Sequence, residues 1–341
     1  MHPNFARAAK ISLVAGIAAA GLATLLPAAA QQPRQQPSRP DASRQEQTAP
    51  DRKIYYGQPV PRGTYPFMVA LLWSEADSTE KGMLAKQFCG GSLIRDRWVL
   101  TAAHCLREEK EGEERLVDAS EVNVYVGSIE FKGGQRIKVR RIVRHPQYNA
   151  PTADSDVALL ELAEPPAPGR TSIITLVSPA TENIYGVPGK SVTAAGWGVT
   201  ESGDAPKSML HVGLDIVDVS TCNSNVVSYR RRQFVELQLD ELREKLALDE
   251  ESARRIKEVM AGPMGTAVTE NMICTTKPGT QRDTCVGDSG GPLFAEVKRG
   301  QFIQVGITSW SEGGCGMTEH GLFGVYVRVA RFVDWIDKNA R

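Results

Sequence analysis

Gly287-Asp288-Ser289-Gly290-Gly291-Pro292 sets a serine inside a glycine-rich turn, where little side-chain bulk blocks the approach to its hydroxyl. The backbone N–H groups of Gly287 and Ser289 can point at one spot beside that hydroxyl, and such a pair stabilises the oxyanion formed when a serine attacks a carbonyl. A serine hydroxyl is a poor nucleophile at neutral pH and needs a base to take its proton. Thr101-Ala102-Ala103-His104-Cys105 supplies an imidazole, the side chain that titrates nearest neutrality. Asp154-Ser155-Asp156-Val157-Ala158-Leu159-Leu160 supplies a carboxylate that can hold the imidazole in one tautomer. The order His104, Asp156, Ser289, each in its own local motif, matches a template for acyl transfer by an activated serine.

Together with Tyr65-Pro66-Phe67-Met68-Val69-Ala70-Leu71, Phe88-Cys89-Gly90-Gly91-Ser92-Leu93-Ile94, Ala195-Gly196-Trp197-Gly198, Asn271-Met272-Ile273-Cys274 and Ser309-Trp310, these segments carry a resemblance. The chain resembles the trypsin-like serine proteases of the chymotrypsin family, in an exported, bacterial form. The likeness runs from about Ile54 to the C-terminus, apart from one long insertion. It implies an all-β fold of two packed antiparallel six-stranded β-barrels with the active site between them. It makes Asp156, directly before the apolar Val157–Leu160 run, the catalytic aspartate, and leaves Asp154 exposed.

Asp283, six residues before Ser289, falls where trypsin-like members place the acid at the base of the specificity pocket. A buried carboxylate there attracts a guanidinium or ammonium, so the resemblance implies cleavage after Arg or Lys. It likewise implies substrate-binding positions at Thr284, Ser309, Trp310, Ser311 and Gly324, with Gly324 leaving room for a long side chain. Ser311 stands where glycine is usual, and Phe323 precedes Gly324 where trypsin has proline. Ile54-Tyr55-Tyr56-Gly57 stands where the family begins its mature chain with Ile-Val-Gly-Gly. A cut after Lys53 would then free an Ile54 ammonium to pair with Asp288 and order the oxyanion turn. The resemblance also pairs the cysteines as Cys89–Cys105, Cys222–Cys274 and Cys285–Cys315; the spacing alone leaves the pairing open.

The 341 residues carry 40 Lys and Arg against 40 Asp and Glu, so no bulk charge argues for a nucleic-acid partner. Residues 1–30 read as a signal peptide: Arg7 and Lys10, then an apolar run from Ile11 to Leu26, then Ala28-Ala29-Ala30. The short, glycine-containing run ends at Pro27, which favours cleavage over a membrane anchor and places the mature chain in the periplasm or medium. Residues 31–53, rich in Gln, Pro, Ser and Arg, cannot bury a core and read as a disordered propeptide, linker or both. Residues 54–341 form the protease-like domain. Six cysteines in an exported chain argue for three disulfides. No CxxC spacing or paired-histidine cluster suggests a metal, and no cofactor is expected. His145 and His211 are expected at the surface or in turns.

Short runs bounded by Gly and Pro read as strands: Phe67–Trp73, Ser92–Leu100, Val122–Val126, Ile137–Val143, Val192–Ala195, Phe302–Ser309 and Gly324–Val329. Many short strands argue for an all-β barrel or sandwich by themselves. Val329, Phe332, Val333 and Ile336 repeat at helical spacing and predict a C-terminal helix. Between Cys222 and Cys274, residues 229–261 are rich in Glu, Arg, Lys and Leu. Val235, Leu239, Leu242 and Leu246 form one stripe at helical spacing, and Ala253, Ile256 and Met260 a second after an Asp249 N-cap. A helical hairpin is predicted there. It is either a decorative insertion or a functional one, occluding large substrates or docking a partner or inhibitor. Two other readings stay beside endopeptidase: a zymogen of narrow substrate choice, and a binding protein on a protease fold acting through the insertion.

Overall fold

The computed structural model describes residues 54–110, 113–233, 239–260, 266–317 and 321–341. The proposed signal peptide and propeptide, with Lys53, lie outside the described residues. After a two-residue strand β1 (Gln58–Pro59), the first barrel begins with β2 (Met68–Trp73), β3 (Gln87–Arg95) and β4 (Trp98–Thr101), a short helix α1 (Glu80–Ala85) lying between β2 and β3. A small hairpin, β5 (Arg107–Lys110) and β6 (Glu113–Leu116), is followed by β7 (Val122–Val126), β8 (Gln135–Arg144) and β9 (Ala158–Leu162). The sheet closes in the order β2-β3-β4-β9-β8-β7. In β8, buried Ile137 and Val139 alternate with exposed Lys138 and Arg140, the period-two pattern of a strand with one face on a core.

The second barrel is built from β11 (Ser191–Gly196), β12 (Leu210–Val217), β13 (Met272–Thr276), β14 (Pro292–Lys298), β15 (Gln301–Ser311) and β16 (Gly324–Arg328). Their path β12-β11-β14-β15-β16-β13 is closed by a β12–β13 pairing. The strand β1 adds to β12, and β10 (Thr175–Leu176) adds to β15. A helix α2 (Glu182–Tyr185) precedes β11. Both barrels are thus closed and six-stranded. Closure removes the free edges an open sheet would expose.

The single predicted run Ser92–Leu100 is two strands, because Asp96-Arg97 turns the chain between β3 and β4. The C-terminal helix α6 spans Val333–Asn339, after a tight turn at Val329–Arg331, and buries Ile336. His145 heads a turn, its carbonyl accepting from the Tyr148 amide at 3.1 Å, and His211 lies in β12; both pack against aromatic rings. His145 meets Phe332 and Trp335 edge-on at 5.1 and 4.9 Å. The Nδ1 of His211 lies 2.8 Å from the Tyr65 hydroxyl. Burial holds both imidazoles below their ordinary pKa.

The inserted region holds three helices: α3 (Val219–Gln233), α4 (Leu239–Leu246) and α5 (Glu250–Met260). The first begins before the insertion and runs into it. Asp249 caps α5 by accepting from the Ser252 amide at 2.7 Å, and Ala253 is buried. Leu246, by contrast, is 61% exposed, so the end of the predicted stripe on α4 is not packed. Val235 lies outside the described residues.

Three disulfides staple the chain: Cys89–Cys105, Cys222–Cys274 and Cys285–Cys315. The two barrels meet at the Ser289 turn. The Gly90 amide of β3 donates to the Ser289 carbonyl at 2.7 Å, and the Gly290 amide donates to Thr308 on β15 at 2.8 Å. Gly290 has φ +80, and a Cβ there would lie 2.6 Å from the Gly90 carbonyl oxygen and strike the Thr101 hydroxyl. Backbone strain and backbone overlap therefore coincide at this residue. Gly290→Ala should destabilise the fold by about 3 kcal/mol or more. Gly213→Ala, at an open strand position with nothing within 4 Å, should leave it unchanged or slightly stabler. Denaturant unfolding of both variants measures this; equal midpoints would refute the account of the seam.

Candidate active site

His104 is the first residue of a short helical turn that follows β4, and its neighbour Cys105 is tied back to Cys89 on β3. Asp156 lies at the entry to β9, the strand paired with β4, so adjacent strands deliver the imidazole and the carboxylate together. The carboxylate is fully buried and receives three hydrogen bonds. The His104 amide donates to Oδ1 at 2.8 Å, His104 Nδ1 lies 2.7 Å from Oδ2, and the Ser309 hydroxyl donates to Oδ2 at 2.5 Å. With Nδ1 facing a carboxylate, the proton of the neutral ring sits there, and Nε2 carries the lone pair. Burial alone would raise the Asp156 pKa, but the charge and hydrogen bond of His104, with the Ser309 hydroxyl and the His104 amide, bring it below the ordinary value. Burial alone would lower the His104 pKa, and the Asp156 carboxylate more than offsets it, so the imidazole is more basic than usual.

The Ser289 turn leaves a specific pair of donors. The amides of Asp288, Gly290 and Gly291 bond to the carbonyls of Cys285, Thr308 and Asp288. Those of Gly287 and Ser289 donate to no protein acceptor among the described residues. Gly287 adopts φ +98, a conformation that favours glycine. Its carbonyl accepts from Gln87 Nε2 at 2.8 Å, and the same amide group donates to Cys89 O at 3.0 Å. Gln87 therefore fixes one side of the turn from the other barrel. Sequence reading missed it, because the two residues stand 200 positions apart and Gln87 lies just outside the Phe88–Ile94 motif.

Asp288 is buried behind the turn. Its oxygens accept from the Gly198 amide at 2.8 Å and the Cys285 amide at 3.0 Å. Burial still pushes its pKa up to about 6, against the lowering effect of those amides. Ile54 is also fully buried. The following residues form a wall behind Asp283: the Tyr55 carbonyl accepts from the Asp283 amide at 3.3 Å. The Tyr55 ring occupies the space a Cβ on Gly316 would need. The bulky residue that departs from Ile-Val-Gly-Gly is thus matched by a glycine across from it.

Asp283 itself is 2% exposed. It accepts from the Thr284 amide at 2.8 Å and the Gly316 amide at 3.4 Å. No cation among the described residues pairs with it. Burial pushes its pKa up to about 7; the two amides lower it, and the Asp288 charge raises it further. Gly324 faces it, and a Cβ there would come within 2.9 Å of Oδ1. The Thr284 hydroxyl is 3.2 Å from that of Tyr326, and Ser311 pairs with Gly324 in the β15–β16 ladder. Ser309, expected to bind substrate, commits its hydroxyl to Asp156. Asp154 is half-buried instead of exposed, bonded to Thr269 Oγ1 at 2.6 Å and Asn271 Nδ2 at 3.2 Å. Cys89, Cys105 and His104 cluster closely, but the two sulfurs are bonded to each other and offer no thiolate.

The trypsin family model matches residues 54–336, and the chain belongs to that family. Its fold, two closed six-stranded antiparallel barrels, is that of the chymotrypsin-like serine proteases. The chain is 31% identical to vitamin K-dependent protein C of Oryctolagus cuniculus, over 84% of this chain and 52% of that protein. It is 28% identical to mannan-binding lectin serine protease 1 of Rattus norvegicus, over 84% and 35%, and 29% identical to transmembrane protease serine 9 of the same species, over 83% and 22%. The chain thus spans between about a fifth and a half of these relatives' lengths, and all three are animal proteins.

Asp283 has a folded pKa above its ordinary value, so its contribution to stability is fully present below about pH 4 and is lost as pH rises through 7. Asp283→Asn keeps one acceptor, for the Thr284 amide, gives up the longer bond from Gly316, and removes the charge. It should be stabler than the parent at pH 8 by an amount on the order of 4 kcal/mol, and no stabler near pH 4. Unfolding midpoints at the two pH values test this; a pH-independent difference would refute it.

Proposed function

We propose that the chain is an exported serine endopeptidase that cleaves peptide bonds after Arg or Lys. The observation that carries this reading is Asp283, a buried carboxylate without a counter-cation among the described residues, facing Gly324 beside the Ser289 turn. A substrate guanidinium or ammonium brings the missing charge, and pairing returns the carboxylate to its ionised form. Thr284, Ser311 and Gly324 line the approach, and Trp310 and Ser309 continue the wall.

Ser289 Oγ attacks the carbonyl carbon while His104 Nε2 takes its proton. Asp156 holds the ring and stabilises the imidazolium, and the amides of Gly287 and Ser289 receive the negative charge that gathers on the carbonyl oxygen. His104 then gives its proton to the departing amine, leaving an acyl group on Ser289. Water, deprotonated by His104, releases the acid and restores the serine. No metal or organic cofactor enters these steps.

Activation would follow cleavage after Lys53, with the new Ile54 ammonium pairing with Asp288. The burial of both Ile54 and Asp288 supports that pairing. Bacterial-type export to the periplasm or medium rests on residues 1–30, and no described helix is long and apolar enough to cross a membrane. A narrow-specificity zymogen is the second reading, favoured by Arg230, in the part of α3 that runs into the insertion, lying over the Trp310 ring.

Hydrolysis of peptides bearing Arg, Lys, Phe or Ala before the cut, by protein starting at Ile54, tests the reading. Cleavage should follow Arg and Lys and vanish in Ser289→Ala. Asp283→Ser should lower kcat/KM for those two by about 100-fold, the scale of one charge-assisted pair. The chain retaining Lys53 should be slower than the one starting at Ile54. Unchanged Arg and Lys preference in Asp283→Ser would sink the pocket assignment.

A further inference from the structure

The segment that delivers Asp156 is held in a backbone conformation its own residues disfavour. Ala153 and Ser155 both lie in the left-handed region, at φ +53 and +54, and neither is a glycine. Such residues persist where the surrounding structure over-determines them. The chain then turns tightly: the Val157 amide donates to the Ser155 carbonyl at 2.8 Å, a three-residue turn with Asp156 at its centre. The direction in which the Asp156 side chain leaves that turn is therefore set by the backbone just before it, and Ser155 is itself buried.

Two sets of bonds hold this conformation. One is local. The Asn149 amide donates to the Asp154 carbonyl at 3.0 Å, the Asp154 amide to Thr152 Oγ1 at 3.4 Å, and the Ser155 hydroxyl to Asp154 Oδ2 at 3.3 Å. The other crosses to the second barrel. Asp154 Oδ1 accepts from the Thr269 hydroxyl at 2.6 Å, and Asn271 Nδ2 lies 3.2 Å from both carboxylate oxygens.

The receiving residues are themselves fixed. Thr269 Oγ1 accepts from the Asn271 amide at 3.3 Å, the Met272 amide donates to the Thr269 carbonyl at 3.1 Å, and the Arg328 amide donates to the Asn271 carbonyl at 2.7 Å. Just before them, the amides of Ala267 and Val268 donate to Asn223 Oδ1 on α3 at 2.7 and 3.0 Å. The chain returning from the insertion is thus pinned on α3 immediately before it meets Asp154. His104 and Ser309 hold the Asp156 carboxylate, whereas Asp154 holds the backbone that carries it.

We propose that Asp154 is a positioning residue. Anchored on Thr269 and Asn271, it keeps Ser155 left-handed and so fixes Asp156 Oδ2 against His104 Nδ1. This rests on the reading of Ser289, His104 and Asp156 as the catalytic residues. Hydrogen bonds weaken steeply as distance and angle depart from the optimum, so a loosened turn weakens the grip on the imidazole and misplaces the base that serves Ser289.

The test compares Asp154→Ala, Asp154→Asn and Thr269→Val with the parent, using kcat and KM for one arginine peptide and the downfield proton NMR signal of the His104 Nδ1–H held by Asp156. Asp154→Ala should lower kcat about 10-fold per folded molecule, leave KM little changed and weaken or shift the NMR signal. Asp154→Asn, which keeps an acceptor for the Thr269 hydroxyl, should recover most of the kcat and the signal. Thr269→Val should fall in the same direction as Asp154→Ala, and the double variant should be no worse than Asp154→Ala alone, as expected of two residues acting through one bond. A parental kcat in folded Asp154→Ala, or a loss of activity with the Nδ1–H signal unchanged, overturns the proposal. A parent that shows no turnover refutes the proteolytic reading instead, and the NMR signal across the variants still decides the role of Asp154.

Discussion

The close approach of two backbones between the barrels is the constraint on which the rest depends. The turn around Ser289 belongs to the second barrel, yet its carbonyl is held by Gly90 of the first. Gly90 follows Cys89, and Cys89 is bonded to the neighbour of His104. One hydrogen bond and one disulfide therefore link the serine turn to the imidazole segment. Gln87, on the same strand, reaches Gly287 from the other side. The site exists only where the barrels touch, and Gly90 leaves the room for it: a Cβ there would lie 3.1 Å from the Gly291 Cα.

Three buried aspartates surround the seam, and each meets the cost of burial differently. Asp156 has a histidine, a hydroxyl and an amide, and stays ionised below the usual range. Asp288 has two amides and no cation among the described residues, and rises to about 6. Asp283 has two amides, lies near a second carboxylate and rises to about 7. The gradient follows the supply of partners, since depth is similar for all three. A carboxylate left under-compensated in a folded chain stores free energy that a cation can release. That is a physical basis for the proposed selection of a basic side chain at one position and for the proposed pairing with an ammonium at the other.

Local sequence carried much of this. The serine, histidine and aspartate each sit in short motifs whose glycines, cysteines or apolar neighbours do mechanical work within a few residues. The barrel strands were readable from apolar runs and alternation, as in Ile137–Val139. Features made by distant partners were not readable. Asp154 looked like a surface acid because Thr269 and Asn271, which bond it, lie more than a hundred residues away. The departure at Tyr55 had no visible compensation in the sequence, because Gly316, whose missing side chain makes room for the ring, lies far along the chain. His145 and His211 looked isolated because their aromatic partners come from other elements. The run Ser92–Leu100 merged two strands because Asp96-Arg97 is too short a polar break to register against strong apolar flanks.

The insertion shows the same limit and its remedy. Its composition predicted helices, and Asp249 acts as the expected cap. Periodicity could not say which helix would matter. The stripe on α4 ends in an exposed Leu246, whereas α3, with a polar and weakly patterned sequence, is the one pinned to the Trp310–Gly321 segment. What pins it is a set of specific contacts: a disulfide at Cys222, an amide at Asn225, a ring at Tyr229 and a guanidinium at Arg230. A helix held by such contacts presents its last turn at a fixed place. The extra residues between Cys222 and Cys274 therefore continue a helix whose last described turn is anchored on Trp310 and Gly313.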